Sequence, residues 1–137
     1  MIMETGDVSG GGAGGLRIFV VENHEDTLRW LSRYLEMLGH QVMPARTMRE
    51  ALEAIPGAQC DVLISDIGLP DGDGWELLRR LEARRPVYAI AMSGFGMTAD
   101  RTKSLAAGYQ AHILKPFEPE VLEAALAEAA REAGAPT

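Results

Sequence analysis

Asp61-Val-Leu-Ile-Ser-Asp-Ile-Gly-Leu-Pro-Asp-Gly-Asp-Gly74 passes within a few residues from an apolar run into a turn-rich loop. A short apolar run without polar alternation reads as a strand covered on both faces. Pro70, Gly72 and Gly74 prevent the strand from continuing. Asp73 and Glu76 then have capping-box spacing for a helix through Ala83. A strand, a loop and a helix in that order form the repeating unit of a parallel sheet.

The same unit recurs on both sides. Leu16-Arg-Ile-Phe-Val-Val21 reads as a buried strand, and Leu28, Leu31, Leu35 and Leu38 follow at helical spacing until Gly39. Trp30, Tyr34 and Met37 border that stripe and are expected to pack the first helix. Gln41-Val-Met-Pro-Ala45 is a weak edge strand, because Pro44 has no N–H for a ladder. Thr47 is placed to cap a short helix through Ile55. Val87–Ala91 makes a fourth strand, Ala99–Ala107 a helix ended by Gly108, and Ala111–Leu114 a fifth strand. An amphipathic helix over 118–133 follows, with Val121, Leu122, Ala125, Leu126 and Ala129 on its apolar side. The expected fold is α/β: a doubly wound five-stranded parallel sheet in the flavodoxin-like order 2-1-3-4-5, with helices on both faces. Residues 1–15, with Gly6, Gly10, Gly11, Gly12, Gly14 and Gly15, are expected to be a disordered tail. The folded domain is expected over 16–133, with a short C-terminal tail at 134–137.

Composition narrows the function. A chain of 137 residues has the size of one domain. Its net charge of −7 repels polyanions, which speaks against direct nucleic-acid binding. The lone Cys60 permits no internal disulfide and no thiolate zinc site. No apolar run approaches the roughly 20 residues of a membrane span, and no signal peptide is evident, so a cytoplasmic location without membrane attachment is expected.

In doubly wound sheets ligands gather at the carboxyl ends of the strands. The residues there are Glu22 and Asn23, Asp66, Ser93 and Lys115. Acidic side chains after the first and third strands supply oxygen ligands for a hard cation such as magnesium. Lys115 adds a positive contact for phosphoryl oxygens, and the Ser93 hydroxyl a hydrogen bond that reports their arrival to the glycine-containing loop behind it.

With Val20-Val-Glu-Asn-His-Glu-Asp26, Ile64–Gly74, Met92-Ser-Gly94 and Leu114-Lys-Pro-Phe117 in order, the chain resembles the receiver domain of two-component response regulators. The resemblance runs from Leu16 to about Ala133. It implies that a histidine kinase or histidine phosphotransfer protein donates a phosphoryl group to Asp66 with Mg2+ bound. It also implies that Glu22, Asn23, Asp66 and the Gly68 carbonyl hold the metal, and that Ser93 and Lys115 contact the phosphoryl oxygens. By the same likeness His112 occupies the place of a switch aromatic. Output would run through the face formed by the fourth helix, fifth strand and last helix to a downstream protein or a second copy.

Three departures carry expectations of their own. Receivers usually have two acids after the first strand; neutral Asn23 lowers the attraction for a dication, so weaker metal binding is expected. His112 in place of a tyrosine or phenylalanine would couple the switch to pH near 6.5 if it titrates freely. Gly68 and Phe95 offer no side chain to orient an attacking water, so slow self-dephosphorylation is expected of a protein that is otherwise no enzyme.

Plainer readings stand beside these. Asp66 and Ser93 are also turn residues, and Asn23 is a favoured helix cap. Lys115 precedes a proline that tolerates a cis bond. Arg79, Arg80, Arg84 and Arg85 read as a solvated basic face, and His24 and His40 lack the spaced partners of a metal site. The rival functions are a phosphorylation-independent binding module of the same fold, which Asn23 favours, and a flavin-binding or phosphatase-like enzyme. The latter lacks its phosphate-cradling glycine loop, since Glu22-Asn-His-Glu-Asp26 is acidic.

Overall fold

The computed structural model describes residues 15–94 and 98–133. The expected tails, apart from Gly15, lie outside those residues, as do Phe95 and Gly96. Five strands, β1 (Arg17–Val21), β2 (Gln41–Ala45), β3 (Val62–Asp66), β4 (Tyr88–Ser93) and β5 (Ala111–Leu114), form one sheet in the order β2-β1-β3-β4-β5. All neighbouring pairs are parallel, as expected. Helices α1 (Glu25–Met37), α2 (Met48–Ala54), α3 (Gly74–Leu81), α4 (Thr98–Ala107) and α5 (Pro119–Ala133) make the crossovers.

Each central strand divides its side chains between two cores. Phe19, Val21, Leu63, Ala89 and Ala91 meet Ala51 of α2, Leu77 and Leu78 of α3 and Ala107 of α4. Ile18, Val20, Ile64, Ile90 and Met92 meet Leu31 and Leu35 of α1 and Leu122 and Leu126 of α5. Burial on both sides explains why the strands read as unbroken apolar runs.

The helix ends follow local chemistry. Thr47 accepts from the Glu50 N–H at 3.0 Å and Asp73 from the Glu76 N–H at 2.7 Å, so both expected caps are present. The reciprocal half of the capping box is replaced, because the Glu76 carboxylate pairs with Arg80 at 3.4 Å. Gly39 and Gly108, at φ of +102° and +112°, follow α1 and α4 as left-handed stops.

Several expectations need correction. The cap of α1 is His24, whose ring nitrogen accepts from the Thr27 N–H, rather than Asn23. Helix α2 ends at Ala54, with Ile55–Gly57 a 3₁₀ turn that Pro56 favours. Helix α3 ends at Leu81, where a 3₁₀ turn begins at Glu82 with φ +51°. Strand β4 begins one residue later than expected and extends to Ser93, leaving Val87 exposed. Trp30, Met37 and Val121 are also exposed, since α1 and α5 cover the sheet with narrower stripes than their composition suggests. Trp30 stacks on Tyr34 with ring centroids 5.5 Å apart.

Candidate functional site

Register brings the site together. Val21 pairs with Ser65, so the next residues, Glu22 and Asp66, emerge side by side at the carboxyl edge. Asp66 pairs with Met92 and Ser93 with Leu114, which sets Ser93 and Lys115 one step further along the same edge. The Lys115 N–H donates to the Ser93 carbonyl at 2.7 Å, and Lys115–Pro116 is a cis peptide.

The Lys115 ammonium donates to Glu22 Oε1 and to Asp66 Oδ2, each at 3.0 Å. Burial alone would lower its pKa, but the hydrogen bonds and charges of Glu22 and Asp66 outweigh burial and leave it raised, so Lys115 stays protonated. Glu22 is buried, and its other oxygen accepts from the His24 N–H at 2.9 Å. Asp66 Oδ1 faces the Gly68 N–H at 3.3 Å. Asp66, Ile67, Gly68, Ser93, Gly94, Asp100 and Lys115 line an open cavity of about 680 Å³. The expected phosphoacceptor, lysine and hydroxyl therefore share one opening.

The backbone beneath Asp66 is held from below. A Cβ on Gly74 would stand 2.7 Å from the Asp66 carbonyl oxygen and 3.2 Å from Ile67 Cα, so only glycine lets α3 start this close. The Gly74 N–H donates to the Ile67 carbonyl at 2.8 Å, and the buried Tyr109 hydroxyl donates to the Gly74 carbonyl at 2.6 Å.

The sequence model of the response regulator receiver domain matches residues 18–127. This chain belongs to the response regulator receiver domain family. It is 34% identical over 120 residues to the KDP operon transcriptional regulatory protein KdpE of Escherichia coli, an alignment covering 88% of this chain and 53% of that protein. It is 32% identical over 127 residues to the transcriptional regulatory protein TcrA of Mycobacterium tuberculosis, covering 92% of this chain and 50% of that protein. The chain thus spans about half the length of these curated relatives. A CheY-like response regulator receiver domain protein from Methanospirillum hungatei superposes with a TM-score of 0.77 at 31% identity, covering 87% of this chain and 99% of that one. Receivers belong to two-component systems, in which response regulators partner with sensor histidine kinases. Among the described residues of this receiver no helix is long and apolar enough to cross a membrane.

The receiver's metal-ligand candidates are two carboxylates, a side-chain amide and a backbone carbonyl. Among the described residues no group of three His, Cys, Asp or Glu side chains is arranged to hold a metal. Asn23 is exposed and its amide N–H donates to the Arg46 carbonyl at 3.3 Å. Even so, oxygen donors from Glu22, Asp66, Asn23 and the Gly68 carbonyl suit a hard dication, since magnesium is commonly held by one or two carboxylates plus waters and phosphate. Gly68 has open space where a side chain would point.

Sequence reasoning missed what surrounds His112 in this receiver. The ring is buried: Nε2 lies 3.0 Å from Ser93 Oγ and Nδ1 lies 2.8 Å from the fully buried Ser104 Oγ. The Trp75 indole N–H donates to the same Ser104 oxygen at 3.0 Å. Burial, assisted by the Arg101 charge and opposed by Asp100, lowers the His112 pKa below its usual value. The titration expected near 6.5 is therefore displaced to lower pH.

Proposed function

We propose that this receiver accepts a phosphoryl group on Asp66 from a phosphohistidine of a kinase or phosphotransfer protein, and that the acyl phosphate alters its partner binding. The observation that carries the reading is Lys115, bonded to both Glu22 and Asp66 at 3.0 Å beside a cavity that Ser93 also lines. A carboxylate oxygen of Asp66 attacks phosphorus in line, a new O–P bond forms as the P–N bond breaks, and the electron pair returns to the imidazole nitrogen. Lys115 stabilises negative charge on the phosphoryl oxygens, and Ser93 donates a hydrogen bond to one of them. Mg2+ held by Glu22, Asp66, Asn23 and the Gly68 carbonyl would supply the remaining charge neutralisation. Its affinity is lower than that of a site with a further carboxylate.

The protein works as a cytoplasmic regulatory switch rather than a turnover enzyme, with 16–133 as the switching domain. The α4, β5 and α5 face is its route to a downstream protein or a second copy. Because neither Gly68 nor Phe95 can hold an attacking water through its side chain, the acyl phosphate is long-lived. The exposed Asn23 favours a second reading, a binding module that works without phosphorylation. Incubation with phosphoramidate and magnesium separates the two. Label that hydroxylamine releases, and that Asp66→Asn abolishes, supports phosphoacceptance; absence of label supports the module.

A further inference from the structure

A groove between α3 and α4, of about 360 Å³, is lined by Trp75, Arg79, Lys103, Ala106 and Ala107, with no carboxylate among these described residues. Among the described residues neither Arg79 nor Lys103 forms an ion pair. Lys103 Nζ stands 5.0 Å from the centre of the Trp75 ring. Two uncompensated cations on an aromatic and alanine floor are unexpected in a chain of net charge −7. The long-range field repels nucleic acids and other polyanions, whereas a short segment with a few carboxylates gains the local attraction at little such cost. The floor gives an apolar side chain of that segment a surface to cover.

The groove is also joined to the phosphoacceptor edge. Trp75 bonds Ser104, Ser104 bonds His112 and His112 bonds Ser93, at 3.0, 2.8 and 3.0 Å. A serine hydroxyl has one proton. If Ser93 donates it to a phosphoryl oxygen, His112 Nε2 has to carry the N–H towards Ser93. In the neutral ring Nδ1 is then an acceptor, and the Ser104 proton turns towards it. Charge arriving at Asp66 therefore sets the direction of the chain that ends on the Trp75 indole.

We infer that the α3–α4 groove is a recognition site for an acidic peptide segment of a partner protein, coupled to Asp66 through Ser93, His112, Ser104 and Trp75. The coupling rests on the phosphoacceptor reading; the recognition does not.

The test uses Trp30→Phe protein, in which Trp75 is the remaining tryptophan. The indole N–H resonance is followed by NMR while a synthetic Glu-Glu-Leu-Glu-Glu-Leu peptide is added, with and without beryllofluoride and magnesium. Expected is a saturable shift, with Kd raised at least about tenfold in Arg79→Glu/Lys103→Glu. Beryllofluoride is expected to change the Kd in the parent but not in Ser104→Ala or His112→Phe, which break different links. No saturable shift, or one unaltered by the double reversal, overturns the recognition. Displacement of the peptide by equimolar inorganic phosphate also overturns it, in favour of a phosphate site. An unchanged Kd with beryllofluoride, in protein that mass spectrometry shows is phosphorylated at Asp66 by acetyl phosphate, overturns the coupling alone. Absence of that adduct overturns the coupling and the phosphoacceptor reading together, while the reversal arm still decides recognition.

Discussion

Lys115 Nζ lies 3.0 Å from Asp66 Oδ2, tying the end of β5 to the end of β3 across β4. The same ammonium neutralises Glu22, which is almost wholly buried. Lys115→Ala leaves that carboxylate buried without its counter-charge. It is expected to cost about 1 to 3 kcal/mol, below the full value for a buried pair because Lys115 is partly exposed. Urea denaturation measures the loss. The initial rate of acyl-phosphate formation is expected to fall about 100-fold, as for loss of one charge-stabilising donor. An unchanged rate would remove Lys115 from the mechanism.

Gly74→Ala tests the support beneath the site. The added methyl meets the Asp66 carbonyl oxygen and the Ile67 backbone, neither of which is a flexible chain end. A destabilisation of about 1 to 3 kcal/mol is expected, together with slower phosphorylation in the protein that remains folded. Thermal melts and initial rates report the two effects separately.

Asp71 joins the loop after β3 to α2 by accepting from the Met48 and Arg49 N–H groups at 2.8 and 2.9 Å. Burial pushes its pKa up, but these backbone hydrogen bonds and the Arg49 charge prevail and hold it below the usual value. Asp71→Ala is expected to cost about 1 kcal/mol, as for loss of a helix cap. Stability from Asp71 is present above the unfolded value of about 4 and is lost as pH falls through the lower folded value. The acid limb of a stability–pH curve should flatten in Asp71→Ala.

Two histidines set a second window. Burial lowers the pKa of His40, whose Nε2 has no hydrogen-bond partner among the described residues, and of His112. The unfolded chain therefore takes up protons near pH 6.5 that the folded chain refuses, and stability complete above about 6.5 declines as pH falls through the lowered values. The melting temperature should drop as pH falls below about 6.5, and less steeply in His40→Leu/His112→Phe. Equal slopes would place the loss elsewhere.

The fold was legible because strands buried on both faces leave apolar runs, and because Gly39 and Gly108 mark turns that only a left-handed residue closes without strain. Glu22, Asp66, Ser93 and Lys115 were legible as polar residues where such runs end. Partners distant in sequence were not. Ser104 reads as an ordinary helix residue until β5 brings His112 beneath it, 8 positions away in sequence. The contact of Asp71 with α2 spans 23 positions. The early end of α3 falls at Glu82, whose positive φ no glycine announces. Helical periodicity located the apolar stripe of α1 but not its width, which leaves Trp30 and Met37 exposed.

Intact-mass measurement after incubation with acetyl phosphate and magnesium tests the central claim most directly. The expected result is one added phosphoryl group that persists for minutes or longer, is absent from Asp66→Asn and is suppressed by EDTA. No adduct at saturating donor, or an adduct that survives in Asp66→Asn, would contradict Asp66 as the phosphoacceptor.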